Sequence, residues 1–301
     1  MMNLIKEKKW AIIFSLFAMF LWGSAIPLIK LTYIHANILP KDSGGKILIA
    51  GIRFFMAGIL TFIYFFIFNK GKVEKDKINF KFIIILASIQ TMFQYMFYYI
   101  GLSNTLGSLA AVIQASNAFI IVVISVIFIS DEKFTKRKAL ALIIGTIGIL
   151  ITNAKGAEGL HFKFTGEGFI LIATTLNALA AVLIRKYGRR QNPFILTGTQ
   201  FLLGATPLIV IGALTHKSNV NFDFTLFLLL SYGAFISATG FTIWTSILQV
   251  HSSSEFGIYK LFVPVFGTIL SVIFLGEELT INIVLGLIFV FIGALVLNKK
   301  I

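Results

Sequence analysis

Long apolar runs separated by short polar breaks set the pattern of this chain. A window of about 20 residues picks out ten of them, at 10–33, 47–68, 82–102, 107–130, 139–154, 167–187, 194–214, 224–248, 253–275 and 282–298. Apolar residues fill these runs continuously rather than alternating, so membrane strands are excluded and ten membrane helices are predicted. The first run follows Lys6, Lys8 and Lys9 and resembles a signal peptide. It is longer than the usual apolar region of about 7–15 residues and is read as a retained helix.

The pattern also repeats. Ser-Val-Ile-Phe at Ser125–Phe128 recurs at Ser271–Phe274, 146 residues later. An acidic pair follows each copy, Asp131-Glu132 and Glu277-Glu278, and then a Thr opens the next apolar run, Thr135 and Thr280. Gly148 matches Gly293, and Asn153 matches Asn298. Five helices per copy is an odd number, so the second copy enters the membrane from the opposite side. The expected architecture is all-α, ten transmembrane helices as two inverted five-helix repeats. The first covers 1–154 and the second 167–301, with a connecting loop at 155–166 on the outer face.

Composition agrees with lipid as solvent. Mean hydropathy is +0.93, and 13% of the 301 residues are charged, against roughly 25% in soluble domains. The net charge of +14 would point to nucleic acid in a soluble protein. Here the bases sit between apolar runs and report topology instead, so no nucleic acid is expected. With the N-terminus inside, 18 Lys and Arg fall in inner segments and 5 in outer ones, which places both termini in the cytoplasm. Lys30, Arg53 and Lys260 belong to neither set. No Cys is present, which removes disulfides and thiolate chemistry.

Ordered along this frame, Trp22-Gly23 in span 1, Arg53-Phe54 in span 2, and Pro264 followed by Leu275-Gly276-Glu277 in span 9 resemble the EamA-like branch of the drug/metabolite transporter superfamily. The resemblance covers nearly the whole chain. It implies a 5+5 carrier with spans 1, 3, 4, 6, 8 and 9 around a central cavity and spans 5 and 10 at the periphery. Ala118 stands where members often carry Pro, and Lys260 is an unusual charge for span 9.

The candidate chemistry is sparse. No carboxylate falls plainly mid-membrane, no metal-ligand spacing occurs, and no catalytic triad or paired-carboxylate site can be drawn. An enzyme is not expected, nor a cofactor. A lipid-modifying enzyme would have only His251 and Glu255 to work with. The acidic pairs are read as stabilising the positive ends of the helices that follow them.

Lys260 is the sharpest positive signal. A Lys near the bilayer centre costs about 2.5–3.5 kcal/mol on insertion scales, so it either holds an anionic solute, or snorkels or pairs with Glu255 near the inner face. Pro264 frees the Lys260 carbonyl, and Pro27 is expected to kink span 1. Arg53 is read as a gate, or as a headgroup anchor or a tether to a backbone carbonyl. Gln90, Gln94 and Tyr98 fall at i, i+4, i+8 on one face of span 3. Gln114 and Asn117 in span 4, Asn177 with Thr174 in span 6, and Thr239 in span 8 extend this polar set. Trp22, Tyr98 and Trp244 offer ring faces for a cation or an aromatic ligand. Helix–helix hydrogen bonding is the alternative for each residue. Taken together, these residues predict a carrier of small organic metabolites such as amino acids or organic acids, an exporter by resemblance. The alternative within transport is an efflux carrier for cationic or aromatic drugs. The lipid bilayer and a small-molecule solute are the partners implied; the sequence leaves monomer or homodimer open.

Overall fold

Ten apolar helices follow one another in the computed structural model, which describes residues 2–69, 79–129, 135–153, 162–189, 191–251, 256, 259–260 and 262–298. They are α1 Lys8–His35, α2 Ser43–Asn69, α3 Phe80–Ser103, α4 Gly107–Phe128, α5 Lys136–Asn153, α6 Phe164–Tyr187, α7 Pro193–Thr215, α8 Phe224–Val250, α9 Phe262–Leu275 and α10 Ile281–Asn298. Seven of these are long and apolar enough to cross a membrane by themselves; α5, α9 and α10 contribute shorter apolar stretches. Large side chains such as Leu214, 81% exposed, and Ile127, 73% exposed, form an apolar perimeter that only lipid can solvate.

Local chemistry sets several helix starts. Asn192 accepts from Phe194 N–H and Ile195 N–H, with Pro193 in the first turn, and Asp223 accepts from Leu226 N–H. Each side chain supplies an acceptor that the first helical turn lacks. Pro27 lies inside a continuous α1. Pro264 is the third residue of the described α9 stretch.

The inverted duplication is visible in the packing. Helix α1 lies on α8 and α9, and α6 lies on α3 and α4; α2 packs on α8, and α7 on α3. Exchanging the two halves (1 with 6, 3 with 8, 4 with 9) maps each contact onto its partner. The pairs α2–α7, α4–α9 and α5–α10 map onto themselves. The matched glycines show why the α5–α10 pair is tight. A Cβ on Gly148 would stand 2.7 Å from the Gly286 carbonyl oxygen, and one on Gly293 would stand 2.9 Å from that of Ala141. Each half presses a glycine against the other's backbone, as small residues allow in membrane interfaces.

Helices around the centre are irregular, and α6 opens with a π-helical turn, Phe164–Gly168. In α3, residues Ala87–Phe93 form a π-helical stretch. In α4, the helix stops at Ala115 and resumes at Asn117. Ser116 bridges the break and donates its hydroxyl to Ile113 O at 2.7 Å. The break stands beside Ala118 and needs no proline.

Candidate functional site

Between the two halves lies a cavity of about 80 Å³, lined from α1, α2, α3, α4, α6, α8 and α9. By the same measure one water occupies about 10–15 Å³, so the space suits a small solute rather than a lipid. Among the described residues its lining carries two cations, Arg53 and Lys260, and no carboxylate.

Lys260 is 7% exposed and lies two residues before α9. Its Nζ donates at 2.8 Å to Asn117 Oδ1 and at 2.8 Å to Asn177 Oδ1. Both acceptors are neutral. Asn117 reaches this position because α4 restarts there, and its Nδ2 donates to the Thr174 carbonyl at 2.9 Å. Asn177 Nδ2 donates to Gln94 Oε1 at 3.2 Å. The ammonium also sits 5.7 Å from the Trp22 ring and 5.0 Å from the Trp244 ring, within the range of cation–π attraction. The two indoles meet edge to face at 5.9 Å.

Arg53 lines the same cavity and is 4% exposed. Its Nε donates to the Gly233 carbonyl at 2.9 Å and its Nη1 to Tyr99 Oη at 3.0 Å. Burial replaces the headgroup contact considered from sequence by a tether between α2, α3 and α8. Gln114 Nε2 donates to Tyr98 Oη at 2.9 Å, and both residues line the cavity.

The structure therefore brings together Trp22, Gln94, Tyr98, Gln114, Asn117, Asn177, Lys260 and Arg53. It does not bring Gln90 and Thr239 there. Gln90 falls within the π-helical stretch, where the wider turn upsets the i, i+4, i+8 register assumed for this face; it is buried with Oε1 unpartnered. Thr239 shares a hydrogen bond with Tyr64 Oη at 3.0 Å, toward α2. Trp244 stands behind Lys260 rather than in the lining, and Pro27 and Pro264 lie outside it too.

Sequence reasoning missed a polar tie at the face opposite the N-terminus. Gly276, with φ of 65°, ends α9 in the left-handed region that favours glycine. The turn points Glu277 at the start of α4, where its carboxylate accepts from Gly107 N–H at 2.8 Å and Ser108 N–H at 2.9 Å. Glu277 thus caps a helix in the other repeat, not the one that follows it, and Lys30 Nζ lies 3.6 Å away. The expectation that Glu277 stabilises the helix following it is corrected. Lys30 also donates to Thr105 O at 2.7 Å, and the Thr105 hydroxyl donates to Glu167 at 2.6 Å. The available signal was Lys30 itself, a base left over from the loop count. Asp131-Glu132 and Glu255 lie outside the described residues.

The N-terminal face carries the counterpart. Arg185 Nη1 donates to the His251 carbonyl at 2.9 Å, and His251 follows Thr105 by the repeat offset of 146 residues. A base near the end of α1 or α6 thus holds a carbonyl between α3 and α4, or at the end of α8, once at each face. His251 Nε2 lies 2.7 Å from Ile5 O, which ties the N-terminal residues to the same place.

Comparison with known proteins places this arrangement. The EamA-like transporter family matches residues 9–154 and 164–299. The uncharacterized transporter YvbV of Bacillus subtilis is 25% identical over 289 residues, covering 94% of this chain and 90% of that protein. An uncharacterized transporter of Clostridium kluyveri is 26% identical over 210 residues, 66% of this chain and 67% of its own. A WAT1-related chloroplastic protein of Arabidopsis thaliana is 26% identical over 281 residues; these make up 89% of this chain but only 64% of the plant protein. A solved crystal structure superposes with a TM-score of 0.73 over 96% of both chains at 15% identity, a likeness of fold. With ten helices in two inverted repeats and matches across both halves, the chain belongs to the EamA-like transporter family and is a multi-pass membrane protein.

Proposed function

We propose that this protein carries a small organic solute with an anionic group, such as an organic acid or amino acid, by alternating access around the central cavity. The observation that carries the reading is the charge of the lining: Arg53 and Lys260 with no carboxylate among the described residues. A buried cation without a counter-ion is costly in a membrane, and an arriving anion supplies one. The same lining argues against a cationic drug. Lys260 already occupies the space beside Trp22 and Trp244, and a second cation would meet repulsion without a compensating acid.

The repeated tie supports a rocking motion. Lys30 to Thr105 and Arg185 to His251 are similar base-to-carbonyl bonds at opposite faces. Breaking one while keeping the other opens one face at a time, the expected behaviour of inverted repeats. The excess of Lys and Arg on the N-terminal side favours both termini in the cytoplasm of a cell-membrane carrier, with repeats at 1–154 and 167–301. Export follows the resemblance to drug/metabolite transporters.

The test is a flux screen in proteoliposomes, with and without pH and voltage gradients, followed by Lys260→Met. Loss of the Lys260 charge is expected to lower anionic solute flux about tenfold or more, the effect of losing one charged hydrogen bond. Anion flux that survives at the wild-type rate overturns the reading.

A further inference from the structure

We infer that the cavity takes a solute with two separate anionic groups, a short dicarboxylate, one end held by Lys260 and the other by Arg53. This rests on the anion reading above and sharpens it.

The argument begins with donors left over. An ammonium has three N–H bonds and a guanidinium five. Lys260 gives two to Asn117 and Asn177, leaving one. Arg53 gives one to Gly233 and one to Tyr99, leaving three. Both side chains line the same cavity. Neither has an acidic partner among the described residues; the ion pairs found there are Lys30 with Glu277 and His35 with Asp223. One monoanion would satisfy one cation and leave the other buried and uncompensated.

The cations are also tied to different residues of α3. Lys260 is fixed to α3 through Asn177 and Gln94, and Arg53 is fixed to α3 through Tyr99. Gln94 and Tyr99 lie five residues apart in the regular part of α3, Gln94–Ser103, which is about 7.5 Å along the axis at 1.5 Å per residue. A single compact group such as inorganic phosphate puts its charges at one point. A carboxylate at each end of a short chain matches both anchors, and the guanidinium fork suits a carboxylate.

The space between is suited to a carbon chain. Trp22 and Phe241 line it with their rings 5.1 Å apart, and Tyr98 with Gln114 adds one polar edge. A free amino acid fits less well, because its ammonium would find no carboxylate in the lining.

The experiment varies the ligand and leaves the protein intact. Wild-type full-length protein in proteoliposomes is offered radiolabelled succinate and glutarate, with their monomethyl esters, butyrate and inorganic phosphate as competitors. The dicarboxylates are expected to be taken up with half-saturation at least about tenfold lower than that found for the monomethyl esters, since the ester removes one charged contact at constant length. Arg53→Gln should bring acid and half-ester within about twofold of each other. Half-esters or butyrate performing as well as the diacids overturns the two-ended site but leaves the anion reading standing. Competition by phosphate alone also overturns it. If no anion is taken up or competes, both readings fall.

Discussion

Lys260 shows what a single residue contributes in this cavity. Its neighbours are amides and indoles, which accept or attract a cation without neutralising it. Asn177 is the more informative position to alter, because Asn177→Asp would place a carboxylate 2.8 Å from Nζ at nearly constant volume. The fold should survive, and anion transport should fall about tenfold or more as the internal ion pair replaces the solute's charge. Proteoliposome flux alongside thermal unfolding separates the two effects. Lys260 was legible in the sequence because a lone base in an apolar run must be explained. The Asn and Gln rows were legible because amides avoid lipid. Thr239 was not, since a hydroxyl finds partners on any neighbouring helix and only the packing shows that Tyr64 supplies one.

At the scale of helices, the ten apolar runs predicted nearly every boundary, because lipid demands continuous backbone hydrogen bonding and long apolar faces. Hydropathy does not report the turn of the backbone, and here the expectations failed. The π-helical stretch Ala87–Phe93 upset the face drawn through Gln90, and the interruption at Ser116 has no proline to announce it. The target of Glu277 was equally hidden, since its partners lie 169 and 170 residues away. Replacing it tests that contact. Glu277→Gln keeps the shape and removes the charge, so the caps on Gly107 and Ser108 and the contact with Lys30 all weaken. Unfolding should become easier by about 1–2 kcal/mol, read as a lowered thermal midpoint in detergent. An unchanged midpoint would show that the cap adds nothing.

The whole molecule is held at its faces as well as through its middle. Asp42, at the start of α2, accepts from Gly45, Lys217 and Ser218 N–H and from the Ser218 hydroxyl, joining the α7–α8 connection to the first repeat. Burial raises the affinity of this carboxyl for a proton, but the four hydrogen bonds outweigh it and bring its pKa down from 3.8 to about 2. In the unfolded chain the group takes up a proton near 3.8, so the unfolded state binds more protons below that pH. The stabilisation is complete above the unfolded value and is lost as pH falls toward about 2. Thermal midpoints measured from pH 5 downward should therefore drop more steeply for the wild type than for Asp42→Asn; parallel profiles would remove Asp42 from the account.

The cap on α4 bears on how the chain is made. Gly107 and Ser108 emerge from the ribosome well before Glu277, and Asn117 precedes Lys260 by 143 residues. Until the ninth helix has been inserted, the fourth therefore waits with two bare N–H groups at its start and an amide lacking its cation partner. The first five helices, synthesised by themselves, carry these vacancies permanently. Maturation of the early half depends on the last segments to arrive, and a chain cut short before residue 277 reaches the membrane with its oldest helices unfinished.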